Sequence, residues 1–139
     1  TANTIAWAVN FFIEQPALFA RARAEADAVL GDSPVATDVD KAGDLPFIEA
    51  FYNETMRLKP VAPINAMEPL EDVDLMGYRI PRGTVIMMLT RHMATDEARF
   101  GDAKRFDPDR WLRETQPTGC PHDTSAYVPF GTGPRFCPG

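Results

Sequence analysis

The chain is 139 residues long, with 45% hydrophobic and 24% charged residues and a net charge of −6. That size and balance describe one ordinary folded domain with enough chain for a core of its own. The acidic balance argues against nucleic acid as a partner, since phosphate binding needs clustered Lys and Arg, and no run approaches the roughly eighteen apolar residues of a membrane span.

Three helices are expected first. Ile5, Ala8, Val9, Phe12 and Ile13 recur at helical spacing over residues 1–15, and Pro16 interrupts them. A second helix over 16–30 starts with Pro16 in its first turn, shows Leu18, Ala22, Ala26, Val29 and Leu30 on one face, and stops at Gly31. After a turn-rich stretch, Asp44 is placed to cap a third helix through about Lys59, with Phe47, Ala50, Phe51, Met56 and Leu58 as buried candidates. Beyond Pro60 the pattern changes. Short strands are expected near Ile64–Glu68 and Val73–Met76, then a turn over "MGYRIPRG" and a buried strand over "TVIMML". From Asp96 the pattern allows one short helix and then ordered coil, including "FDPDRW". The fold class is therefore mainly α with a small β-sheet (α+β).

The chain begins inside a helical pattern without Met and closes in mid-motif. It is expected to be an internal piece of a longer chain, which leaves an upstream targeting or membrane-anchoring segment open. The two cysteines, Cys120 and Cys137, are too few for a disulfide framework. Two free thiols suit a reducing compartment such as the cytoplasm, with a Cys120–Cys137 bridge as the lesser alternative.

Chemistry concentrates in "VPFGTGPRFCPG", Val128 to Gly139. Gly131, Gly133 and Gly139 permit positive φ and close approach of backbone to a ligand, while Pro134 and Pro138 stiffen the loop. Arg135 is a forked donor suited to a carboxylate. A lone thiolate at Cys137 is wrong for a structural zinc site, which wants four ligands, and right for a cofactor that brings its own equatorial ligands, of which haem is the obvious one. The bland alternative is a small buried cysteine in a Gly/Pro loop.

The spacing of Phe130, Gly133, Arg135, Cys137 and Gly139, F-x-x-G-x-R-x-C-x-G, resembles the haem-binding loop of the cytochromes P-450. That family holds haem iron through a Cys thiolate, which favours O–O cleavage. Three further segments resemble the family in order. "NETMR" places Glu54 and Arg57 on one helix face, which alone would be a surface pair contributing about 0.2–0.5 kcal/mol. It looks like the family's E-x-x-R motif, and "FDPDRW" resembles the segment supplying a second arginine, Arg110. The resemblance implies a buried network of Glu54, Arg57 and Arg110 that supports the haem site without entering the bond-making chemistry.

"TANTIAWAV" resembles the stretch after the family's oxygen-activating acid–threonine pair. This places Thr1 directly after the catalytic threonine, with Thr1 as that threonine itself the lesser alternative. "RLKPVAPI" and "EDVDLMGYRIPRGT" resemble the strand along the haem pocket and the hairpin after it. Val61, Ala62, Pro63 and Ile64 would then face substrate, against the plain alternative of core packing. The basic residue that many members carry on that strand for a haem propionate is absent from Asn65, Ala66 and Met67, so Arg135 is the expected propionate partner.

What the resemblance implies is one partial domain over 1–139 that lacks the N-terminal half and the segment after the haem loop. The complete enzyme would be a haem-thiolate monooxygenase carrying haem b (iron protoporphyrin IX). It would insert one atom of O₂ into a small apolar organic substrate, with electrons from NAD(P)H through an electron-donor protein or fused reductase. The alternatives are a non-catalytic haem sensor or carrier and a peroxide-dependent peroxygenase. The isolated chain is expected to be inactive, with Phe11, Phe12 and Ile13 left uncovered. "CPH", Cys120 to His122, is expected to be loop, and His92 a hydrogen-bonded structural residue near the end of a buried strand.

Overall fold

The computed structural model describes residues 1–33, 35, 39–112 and 126–138, with 39, 40 and 135 by backbone alone. Helices α1 (Ala2–Glu14), α2 (Pro16–Leu30) and α4 (Pro46–Leu58) pack on one another, and a short α3 (Val39–Gly43) lies in the stretch expected to be loop. Their common core is aromatic. Phe12 stacks on Phe51 at 3.9 Å and Phe11 on Phe106 at 4.1 Å, while Phe51 meets Phe106 edge-on at 5.0 Å. Such contacts join α1 and α4 to the coil that follows the strands.

Two helix expectations need correction. Helix α1 buries Thr4, Ala8 and Phe11, one stripe at helical spacing, and leaves Ile5, Val9 and Ile13 exposed. The helix is apolar on both sides, so periodicity alone selects no unique inner face. Phe11 and Phe12 belong to the core, and only Ile13 of the three residues expected to be uncovered is exposed, at 74%. Helix α4 is not capped by Asp44. Leu45 holds the cap position, and the Glu25 carboxylate of α2 accepts from the backbone N–H groups of Phe47 and Ile48, 2.9 Å each. A carboxylate at a helix N-terminus satisfies orphan donors and complements the helix dipole. On α4, Phe47, Ala50 and Phe51 are buried, whereas Met56 and Leu58 are half-buried.

Among the described residues the strands form two antiparallel pairs and no common sheet. β1 (Asn65–Met67) pairs with β4 (Ile86–Met88), and β2 (Val73–Leu75) with β3 (Tyr78–Ile80). The stretch expected to be all turn thus contains β3, and the turn itself is Met76 and Gly77, at φ 55 and 85. Two successive positive φ values suit the twist of a two-residue hairpin. The run expected as a buried strand is half open, with Val85, Met87 and Leu89 between 49% and 62% exposed. A two-stranded ribbon covers neither of its own faces. His92 is a correction as well: it lies exposed on helix α5 (Thr90–Ala94).

A second small core of Phe100, Ala103 and Ala126, with Tyr127 against it, seats the start of the cysteine loop. Residues 97–99 and 101–104 are turns where a short helix was expected, followed by a 3₁₀ turn over Pro108–Trp111.

Candidate functional site

Glu54 and Arg57 sit three apart on α4, and neither side chain is exposed at all. A buried ion pair is tolerated only when its remaining polar atoms are also satisfied. Arg57 uses all five of its N–H donors. Nε and Nη2 grip the Glu54 carboxylate at 2.8 Å each. Nη1 donates to the carbonyls of Ala94 and Ala103 at 2.7 and 2.6 Å, and Nη2 also to the Arg105 carbonyl at 3.1 Å.

Glu54 gathers the rest. Its Oε1 accepts from Arg110 Nε at 3.0 Å and from the Asp107 backbone N–H at 2.9 Å, and its Oε2 from Trp111 Nε1 at 3.0 Å. Arg110, 7% exposed, donates onward to the Gly101 and Asp102 carbonyls. Buried carbonyls in irregular coil need donors, and here two guanidinium groups supply what a sheet or helix would otherwise provide. That explains how the stretch from Ala94 to Trp111 is ordered with so little regular structure.

The cysteine loop is ordered differently, by its own backbone. The Gly131 N–H donates to the Val128 carbonyl at 3.1 Å, Phe136 N–H to Gly133 at 3.0 Å, and Cys137 N–H to Phe130 at 2.9 Å. Gly131 and Gly133 lie at φ 72 and 70, where an L side chain is strained, and Gly133–Arg135 forms one 3₁₀ turn. Cys137 is half-buried, flanked by exposed rings of Phe130 and Phe136 set edge-to-face at 6.3 Å. One sulfur ligand beside two open aromatic rings fits a large planar cofactor that supplies its own equatorial ligands. Among the described residues, His, Cys, Asp and Glu form no group of three that could hold a bare metal ion.

Tyr127 stands at the entrance to this loop. Its hydroxyl donates to the Asn53 carbonyl at 3.1 Å, with Asn53 Oδ1 at 3.2 Å, and its ring lies 4.6 Å from that of Trp111. Burial, and secondarily the nearby Glu54 carboxylate, push its hydroxyl pKa well above the ordinary tyrosine value, with Arg57 opposing.

Val61, Ala62, Pro63 and Ile64 are exposed and run between α4 and β1. They hang from α5: Thr90 Oγ1 donates to the Ala62 carbonyl at 2.7 Å and Arg91 N–H to the Pro63 carbonyl at 3.2 Å. A small cleft lined by Met56, Ala62, Thr90, Ala94, Tyr127 and Val128 lies between that segment and the loop entrance. Thr1 is exposed at the cap position of α1, without a side-chain cap bond. Gly139, Cys120 and His122 lie outside the described residues, so the suggested Cys120–Cys137 bridge and the "CPH" loop do too. Sequence reasoning missed Trp111, Tyr127 and Asn53. Their only signal was adjacency to Arg110, to the loop and to Glu54.

A helical core thus carries a buried carboxylate–diarginine cluster and, joined to it through Tyr127, a glycine-turned cysteine loop. All residues, 1–139, match the family model "Cytochrome P450", and the chain belongs to that family. It is 33% identical over 140 residues to a methyltetrahydroprotoberberine 14-monooxygenase of Papaver somniferum, covering 100% of this chain and 26% of that protein. It is 31% identical over 142 residues to a beta-amyrin 24-hydroxylase of Glycine max, covering 99% and 28%. A zebra fish cytochrome P450 in a structure with progesterone superposes with a TM-score of 0.84 at 30% identity, over 97% of this chain and 29% of that one. The chain thus spans a little over a quarter of the length of these relatives. Among the described residues no helix is long and apolar enough to cross a membrane.

Proposed function

We propose that this chain is the thiolate-bearing C-terminal part of a haem-thiolate monooxygenase whose cofactor is haem b. The observation that carries this reading is the loop itself: a half-buried Cys137 with its N–H tied to the Phe130 carbonyl, aromatic rings on either side, and two glycines at positive φ. Cys137 would ligate the haem iron, Arg135 would hold a propionate, Phe130 would pack beside the thiolate, and Gly133 and Gly139 would let the backbone approach closely. When bound, haem supplies the activation of O₂ for insertion of one oxygen atom into substrate, the other leaving as water.

The chain's own residues bind and orient. The Cys137 N–H to Phe130 bond fixes the backbone that carries the sulfur. Glu54, Arg57 and Arg110 hold the coil behind the loop, and Val61 to Ile64 line the substrate side, where their apolar side chains exclude water. Thr1 is read as the residue directly after the family's oxygen-activating threonine. A small apolar organic substrate is supported by the apolar character of that segment and by relatives named for beta-amyrin and solved with progesterone. Electrons come from NAD(P)H through a separate or fused redox protein. We assign the enzyme to the cytoplasm, since two cysteines suit a reducing compartment. The 139 residues alone are inactive on this reading, and substrate turnover by them would contradict it.

The deciding measurement is the carbon monoxide difference spectrum of the complete, haem-loaded enzyme beside its Cys137→Ser variant. A strongly red-shifted Soret band that the variant loses is expected. A spectrum unchanged by the substitution, or no haem uptake by the complete protein, overturns the proposal.

A further inference from the structure

Trp111 and Tyr127 form a bridge between the buried network and the cysteine loop. Trp111 closes the 3₁₀ turn one residue after Arg110, which brings its indole N–H to Glu54 Oε2 at 3.0 Å. Its ring meets Tyr127 at 4.6 Å, inclined by 57°, and Tyr127 donates back to Asn53. Asn53 and Glu54 are consecutive residues of α4. Both ends of the bridge are therefore tied to one helix by directional bonding from an aromatic donor. On the far side, the residue after Tyr127 is Val128, whose carbonyl accepts the first bond of the loop from Gly131. Two residues on, the Phe130 carbonyl receives the Cys137 N–H.

We infer that Trp111 and Tyr127 are positioning residues for the Cys137 sulfur, transmitting the fixed place of the Glu54 carboxylate to the first turn of its loop. The inference rests on Cys137 being the iron ligand. Its physical basis is a difference in stiffness. The loop's short internal bonds fix its shape, and its place depends on what its ends are tied to. The helix has a fixed place, and a packed aromatic pair resists sliding because neither ring can move without losing contact area or its hydrogen bond. Ala126, 2% exposed between Phe100 and Ala103, pins the backbone just before Tyr127 and leaves its ring as the next point of attachment.

The test uses the complete haem-loaded enzyme, its Trp111→Phe and Tyr127→Phe variants, the double variant and Cys137→Ser. Each single aromatic change keeps a ring and removes one donor. The readout is the ratio of the strongly red-shifted Soret band of the carbon monoxide complex to the less shifted band of a neutral or displaced sulfur, with the urea midpoint recorded alongside. Each single variant is expected to shift that ratio roughly three- to tenfold toward the less shifted band, the scale of one hydrogen bond to a buried group. The double variant is expected to shift it little further, because the two residues act in series. A wild-type band ratio in both single variants, whatever happens to the urea midpoint, means that the pair only stabilises the fold and overturns the inference. Should Trp111→Phe fail to fold, Tyr127→Phe decides alone, since it leaves every bond to Glu54 in place. Failure of the underlying reading looks different: the red-shifted band is then missing from the wild type, or survives in Cys137→Ser.

Discussion

The buried network on α4 and the cysteine loop solve opposite problems with different groups. Glu54 and Arg57 are themselves wholly buried, and the five guanidinium donors of Arg57 all end on oxygen. Around Cys137 the flanking rings are 45% and 58% exposed, and the shape comes from backbone turns at Gly131 and Gly133. The first arrangement resists any change because each removed atom strands a buried partner. The second keeps a sulfur accessible, and accessibility is incompatible with that kind of closure. Rigidity is placed behind the cysteine, on a helix, and access in front of it.

The largest expected effect breaks the first region. Arg57→Ala leaves three backbone carbonyls without their donor and is expected to cost about 3–5 kcal/mol, enough to unfold the stretch from Ala94 to Trp111. Urea unfolding of the complete protein checks it, and a loss below about 1 kcal/mol would mean that the network is dispensable.

The next prediction concerns the junction. Tyr127 has a raised pKa when folded, so its contribution to stability is fully present below the unfolded value of about 10 and fades as pH rises toward the folded value. Stability should therefore fall above about pH 10 in the wild type and less steeply in Tyr127→Phe. Parallel alkaline unfolding curves would remove Tyr127 from the junction.

A smaller effect belongs to the loop. Gly131→Ala and Gly133→Ala meet no atom within 4 Å, so their cost is conformational alone, about 1–2 kcal/mol each. That strain should appear as weakened haem retention with little change in the unfolding midpoint. An equal loss of both would show that the loop and the network are one cooperative unit. The smallest effect calibrates the comparison. Arg23 and Asp27 form an exposed pair, 2.9 Å apart, and Arg23→Ala should change stability by less than about 0.5 kcal/mol.

Local signals read well wherever the cause was local. Pro16 and Gly31 bound α2, since a proline fixes the first turn and a glycine accepts φ 60 at the stop. The same held for the spacing of Glu54 and Arg57 and for the glycines before Cys137. Signals failed where another part of the chain supplied the cause. Asp44 has the right chemistry for a cap, but Glu25 arrives from α2 with better geometry. The "TVIMML" run is apolar enough for a buried strand, yet its ribbon has one partner strand and stays half open. Trp111 carries no motif of its own, and its bond to Glu54 exists because a 3₁₀ turn swings the indole round beside Arg110.

The sequence by itself determined the three long helices, the glycine-turned cysteine loop and the identity of the charged residues that meet. Spacing, proline and glycine act over a few residues and need no distant partner. Only the tertiary structure decided which stripe of α1 turns inward, which carboxylate caps α4, and how two rings tie Glu54 and Asn53 to the start of the cysteine loop. Those outcomes depend on packing between residues tens of positions apart, where the energies of competing contacts are settled only once the whole core is in place.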